Sequence, residues 1–179
     1  MVLLPVVDVS ALVDPGSAAE ERLAVGRELD AACRTCGFIL VSGHGVAPSL
    51  RADLERLSRE FFALPEDEKA RIAMSRAGSA WRGWFPVGGE LTSGEPDRKE
   101  GVYFGTELPA DDPLVLAGTP LHGANLFPER PAELREVVLR WIDEVAALGA
   151  ALLRGLALGL GLDEDWFART LTADPTILF

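Results

Sequence analysis

The side chains suited to chemistry are few in this sequence, and their spacing narrows what they can do. Histidine occurs only at positions 44 and 122. A mononuclear iron site of the two-histidine, one-carboxylate type needs a close His–carboxylate pair and a second histidine. Gly45-Val46 follows His44 and Gly123-Ala124 follows His122, so neither opens an H-x-D or H-x-E. Both are expected to be turn or loop residues that hydrogen-bond locally. A serine hydrolase is no better supported, because no G-x-S-x-G occurs. Cys33-Arg34-Thr35-Cys36 has the spacing of a redox dithiol or half a zinc site. The pair closes a helix just before Gly37, however, where the helix dipole disfavours a thiolate. Zinc would also need two more ligands, and only the two histidines are on offer besides. Two buried, inert thiols are therefore expected. Gly43-His44-Gly45 lies between a strand and a helix, but Pro48 replaces the third glycine of a dinucleotide loop. A tight turn is expected there.

The stretch from Trp81 to Glu100 is the most site-like. It holds Arg82, Trp84, Glu90, Thr92, Arg98, Lys99 and Glu100 among several glycines. Arginine forks grip carboxylates, and glycines let a backbone approach a ligand. A solvated hairpin with a few ion pairs fits the same residues equally well.

Elements that could position these groups follow from periodicity and punctuation. Pro5–Val9 reads as a strand, and Asp14-Pro15-Gly16 as a turn. Ser17 and Glu20 form a capping-box pattern for a helix carrying Val25, Leu29, Ala32 and Cys36, which Gly37 stops. Phe38–Val41 is a second, apolar strand. Leu50, Leu54, Leu57 and Phe61 mark a second helix, ended by Leu64-Pro65. Residues 75–100 read as extended strands and a turn, and 105–131 as a long connection rich in proline and glycine. Leu134, Val138, Trp141, Val145, Leu148, Leu152 and Leu156 predict one helix from about Ala132 to Leu160, about 40 Å long. Asp163 can cap a short helix through Leu171. The run Thr176–Phe179 is strand-like and requires a pairing partner that no later residue supplies.

Composition sets outer bounds. The chain has 179 residues, 48% apolar and 25% charged, which is globular composition. With 28 acidic and 17 basic side chains the formal charge is −11, and the only lysines are Lys69 and Lys99. No basic stripe is present to attract a phosphate backbone, so a nucleic-acid partner is not expected. Two cysteines make no disulfide framework, and Arg154 interrupts the most apolar run, so neither secretion nor a membrane partner is expected. The N-terminal residues lack a basic n-region. These features point to a cytoplasmic protein with residues 1–179 in one domain. Within it, residues 1–74 form a strand-helix-strand-helix part, 75–131 a hairpin and long loop, and 132–179 a long support helix, a short helix and a truncated strand.

Taken in order, several segments resemble the N-terminal region of the isopenicillin N synthase-like family of non-haem iron(II), mostly 2-oxoglutarate-dependent, oxygenases. They are Pro5–Val9, Cys36–Val46, Phe61–Pro65 with Glu68-Lys69, Arg82-Gly83-Trp84, Asp97–Glu100, Leu121–Pro128 and Ala157–Leu162. The resemblance implies an α+β fold, with helices flanking the first strands of a double-stranded β-helix, or jelly roll, whose barrel is incomplete in this chain. In that family the iron ligands, H-x-D and a distant histidine, and the arginine that grips 2-oxoglutarate lie in the second half. The chain is expected to stop where that half begins. No catalytic residue and no metal ligand are therefore expected here. Iron(II) and 2-oxoglutarate are expected in the complete protein and not on this chain alone. Residues Gly89–Gly94 look like the loop that lines the organic substrate's pocket in ethylene-forming relatives. Glu90 and Thr92, with the nearby Arg82, are thereby expected to bind a small-molecule substrate. The expected partners are that substrate and either a C-terminal half or a second copy of the chain. A non-catalytic binding or scaffold module is the alternative.

Overall fold

A computed structural model of the chain describes residues 4–171 and 176–179. In chain order the elements are β1 (Val6–Asp8), α1 (Ser10–Val13), α2 (Ala19–Thr35), β2 (Leu40–Ser42), α3 (Pro48–Phe62), α4 (Glu66–Lys69), β3 (Gly83–Phe85), β4 (Leu91–Thr92), β5 (Glu95–Pro96), β6 (Gly101–Tyr103), α5 (Pro113–Leu116), α6 (Leu134–Gly159) and α7 (Trp166–Thr170). Three 3-10 turns fill Ala70–Ala80 between α4 and β3. The architecture is α+β. Among the described residues the strands form three two-stranded sheets and close no barrel. No helix among them is long and apolar enough to cross a membrane.

The chain forms two compact units. One holds the residues up to Ala47 together with those from Glu144 to 171. Here β1 and β2 pair in parallel, Val6 opposite Leu40 and Asp8 opposite Ser42. Val7, Val9, Leu12, Leu29, Ala32 and Ala151 form the core. Helix α2 crosses the C-terminal part of α6 through glycines. A Cβ at Gly26 would lie 2.6 Å from the Gly155 carbonyl oxygen, and one at Gly159 would run into the Gly26 carbonyl. The start of α2 falls one residue later than the capping-box pattern implied. Glu21, not Glu20, reaches back to accept the Ala18 N–H at 2.9 Å, and the Ser17 hydroxyl does not cap. Gly37, at φ +76°, ends the helix as expected. The thiols are a correction: Cys33 is exposed and Cys36 half-buried, both free. Burial on α2 ends at Ala32, and beyond it the last turn faces solvent.

The other unit comprises Pro48–Asp143 and Thr176–Phe179. Its core gathers Leu57 and Phe61 from α3, Ile72, Trp84, Phe104, and Leu134, Val138 and Ile142 from the first turns of α6. The periodic face read from the sequence for α3 is the face buried, whereas on α6 Leu134 and Val138 are buried as read but Trp141, Val145, Leu148, Leu152 and Leu156 are only half-buried, and Ile142, Ala151 and Ala157 are buried beside them. Strand β3 pairs antiparallel with β6, Trp84 opposite Val102. Strands β4 and β5 make a small hairpin across Ser93-Gly94, both at positive φ, the combination a tight two-residue turn demands. The C-terminal run does find a partner, upstream. Phe104 and Phe179 exchange N–H···O bonds of 2.7 and 2.6 Å, and Thr106 N–H donates to the Ile177 carbonyl at 2.8 Å. Within the long connection, α5 is a turn of helix that periodicity did not reveal. Asp112 caps it by accepting the Leu114 N–H at 2.8 Å.

Candidate functional site

The site-like stretch is built on β3 and β6 and the loops that meet them. Arg82, just before β3, is 0% exposed. Its Nη1 donates to the Ala80 carbonyl at 2.9 Å and its Nη2 to the Leu121 carbonyl at 3.0 Å. Its Nε is the buried side-chain nitrogen left without a hydrogen-bond partner among the described residues. Burial pulls the guanidinium below its ordinary pKa, and the negative charge of Glu107 opposes that pull.

The backbone around Arg82 is strained. Trp81 and Leu121 both hold left-handed conformations, at φ +57° and +66°, that non-glycine residues seldom adopt. Leu121 N–H donates to the Ser79 carbonyl at 2.8 Å. Gly105 packs against the guanidinium so closely that a Cβ there would overlap Arg82 and the Ile177 carbonyl. Asn125 clasps Gly105 from the side. It accepts the Gly105 N–H and donates to its carbonyl, both at 2.7 Å. Glu107 completes the clasp by accepting from the Asn125 side chain at 2.6 Å and from its backbone N–H at 2.9 Å.

Glu90 and Thr92 belong to a second cluster. Glu90 accepts the Tyr103 hydroxyl at 2.6 Å and pairs with Lys99 at 3.2 Å. Lys99 also pairs with Asp97 at 3.3 Å, and Asp97 accepts the exposed Thr92 hydroxyl at 3.1 Å. The Tyr103 ring stacks on Phe85 with centroids 5.4 Å apart, which anchors the cluster to β3. The Tyr103 hydroxyl bond, then Lys99, hold Glu90 below the ordinary carboxylate pKa, so it is a charged acceptor at neutral pH. Glu90 and Thr92 thus share one polar network. Arg82 stands apart from it, its donors going to the Ala80 and Leu121 carbonyls.

A third group couples α4 to the hairpin. One oxygen of Glu100 accepts from Lys69 Nζ at 2.6 Å and from the Trp84 indole at 2.8 Å, and Lys69 lies 5.5 Å over the Trp84 ring. Spacing along the chain gave no sign of this long-range group or of the Asn125 clasp. One of only two lysines, at the end of an acidic run, and an asparagine among apolar residues were their only signals.

The histidines bond locally, with one extension. His44 Nδ1 accepts the Val46 N–H at 3.1 Å. His122 contacts the Pro120 carbonyl at 2.9 Å and, through Nε2, the Thr176 hydroxyl at 3.2 Å. Among the described residues no three His, Cys, Asp or Glu side chains converge where a metal ion could be held. The donor set of the described residues does not fit an iron(II) centre.

Comparison with known proteins places these features. The family model described as non-haem dioxygenase in morphine synthesis, N-terminal, matches residues 4–130. A Dictyostelium discoideum protein assigned as an iron/ascorbate oxidoreductase is 42% identical over 98% of this chain and 50% of its own length. The rice (Oryza sativa subsp. japonica) homoarginine-6-hydroxylase 2-ODD-233 is 36% identical over 96% of this chain and 53% of its own. The solved structure of a 2OG-Fe(II) oxygenase family protein from Caulobacter crescentus shares the fold with a TM-score of 0.77 and 22% identity, over 99% of this chain and 56% of that one. The chain spans about half the length of the curated relatives it matches. It belongs to the non-haem dioxygenase N-terminal family, the N-terminal region of the isopenicillin N synthase-like oxygenases.

Proposed function

We propose that this chain is the N-terminal part of a cytoplasmic non-haem iron(II), 2-oxoglutarate-dependent oxygenase that oxidises a small organic substrate, and that Arg82, Glu90 and Thr92 contact that substrate. The helices would then flank the first strands of a jelly roll. Iron and 2-oxoglutarate would be held by the family's C-terminal half, and this chain's residues would bind and orient the organic substrate. Iron/ascorbate and amino-acid-hydroxylating relatives support the reaction class.

The observation that carries the substrate assignment is the unpartnered Nε of Arg82. A buried donor without an acceptor costs about 1–3 kcal/mol, and more when charged. An acidic group on a substrate would supply the missing acceptor once the strained backbone at Trp81 or Leu121 moves aside, because Arg82 is sealed from solvent as it stands. Glu90, held ionised, offers the opposite complement, an acceptor for a substrate N–H or O–H, and Thr92 adds an exposed hydroxyl.

The test uses an enzyme in which this chain is joined to the family's C-terminal half. Glu90→Ala is expected to weaken use of the organic substrate while iron affinity and uncoupled 2-oxoglutarate consumption persist. A fall in iron affinity instead would overturn the assignment of this loop.

A further inference from the structure

In the unit formed by Pro48–Asp143, a cavity of about 340 Å³ opens between the 3-10 turns after α4 and the loop that leads into α6. Its wall carries three arginines, Arg71, Arg76 and Arg130, against two glutamates, Glu68 and Glu129. That local excess of positive charge stands out in a chain of net charge −11. The three guanidinium groups are not equally free. Arg130 is committed, with its Nη2 donating to both oxygens of Glu68 at 2.7 and 2.6 Å. Arg71 touches Glu129 at 3.3 Å across a solvent-exposed gap, a contact that contributes little. The guanidinium of Arg76 makes no hydrogen bond or ion pair with any described residue. The cavity is also lined by apolar Phe127, half-buried against this unit's core, and by Ile72, a residue of that core.

We propose that this cavity binds a small carboxylate anion with an apolar body, its carboxylate on Arg76 and Arg71 and its body against Ile72 and Phe127. A planar guanidinium fork matches a carboxylate with two parallel hydrogen bonds. The volume is at the small end of ligand pockets, which suits a compact molecule. A bare inorganic anion would leave the apolar surface unused, and a neutral aromatic would leave Arg76 unpaired. None of the lining residues belongs to the Arg82, Glu90 and Thr92 assignment, so the two readings stand or fall separately.

The probe is benzoate, titrated into the chain by calorimetry beside acetate, which lacks the body, and benzyl alcohol, which lacks the charge. Benzoate is expected to bind at least tenfold tighter than either. Arg76→Ala should weaken benzoate at least tenfold, Arg76→Lys should recover part of the loss, and Arg51→Ala, on the outer face of α3, should change nothing. Thermal melts of each variant confirm folding, which Arg76 does not support through any side-chain bond. No benzoate binding in the millimolar range, equal binding of acetate, or unchanged affinity in Arg76→Ala would each overturn the proposal.

Discussion

Glu100 receives two donors on a single oxygen, from Lys69 and the Trp84 indole, so its protonation bears directly on the stability of the unit formed by Pro48–Asp143. Burial alone would push its carboxyl upward, but the Lys69 and Trp84 hydrogen bonds outweigh burial and hold it below its ordinary value of 4.5. A carboxylate with a depressed folded-state pKa stabilises fully above its unfolded pKa and loses that contribution as pH falls through the folded one. Urea midpoints should therefore drop between about pH 4.5 and the acid limit. Glu100→Gln should flatten that limb in part, leaving the share of Glu90 and Asp97, which are also depressed. It should also cost about 3 kcal/mol at neutral pH, because Lys69, with its side chain 9% exposed, loses its counter-charge. An unchanged acid limb in the variant would contradict this role. Gly105 carries a second residue-scale prediction. Its missing Cβ is the space the Arg82 guanidinium fills, so Gly105→Ala should cost about 1–3 kcal/mol by overpacking. In the assembled enzyme it should also weaken substrate binding by displacing Arg82, and a melt at wild-type temperature with unaltered substrate affinity would refute it.

Among elements, the crossing of α2 with the C-terminal part of α6 depends on absent side chains. Gly26→Ala gains up to about 1 kcal/mol in helix propensity, yet it drives a methyl into the Gly155 carbonyl. Net destabilisation of about 1–2 kcal/mol is expected, read as a lower melting temperature. A stabilised variant would show that the helices separate freely. The helices themselves were legible in the sequence. Leu50, Leu57 and Phe61 in α3, and Leu134 and Val138 in α6, repeat at helical spacing because one face of each is buried. What the sequence hid was long-range. The partner of Ile177–Phe179 lies more than seventy residues upstream at Phe104–Thr106, and no local pattern announces such a pairing. The Asn125 clasp on Gly105 is hidden for the same reason. Free cysteine is usually buried, but Cys33 is exposed because α2 loses its buried face one residue earlier. At the candidate site, arginine and glycine content singled out the stretch around Arg82, but the unpartnered Nε and the Glu90–Tyr103 bond arise from packing that no spacing encodes.

At the scale of the whole molecule, the β1–β2 ribbon leaves apolar surface in water. Val6 and Leu40 face each other across the strands and are both more than half exposed, and Phe38 beside them is 71% exposed. Two strands alone are marginal in water. The 179-residue chain is expected to bind a hydrophobic dye and to self-associate in sedimentation at rising concentration, and the family's C-terminal half, covalent or in trans, should suppress both. A dye-negative monomer at every concentration would show that this surface needs no cover. The central claim, that these residues position substrate for iron chemistry housed in the family's other half, has a direct assay in oxygen-dependent decarboxylation of 2-oxoglutarate with added iron(II). The chain joined to that half is expected to turn over, and residues 1–179 alone are expected to be silent. Turnover that tracks with the purified 179-residue chain would contradict the account.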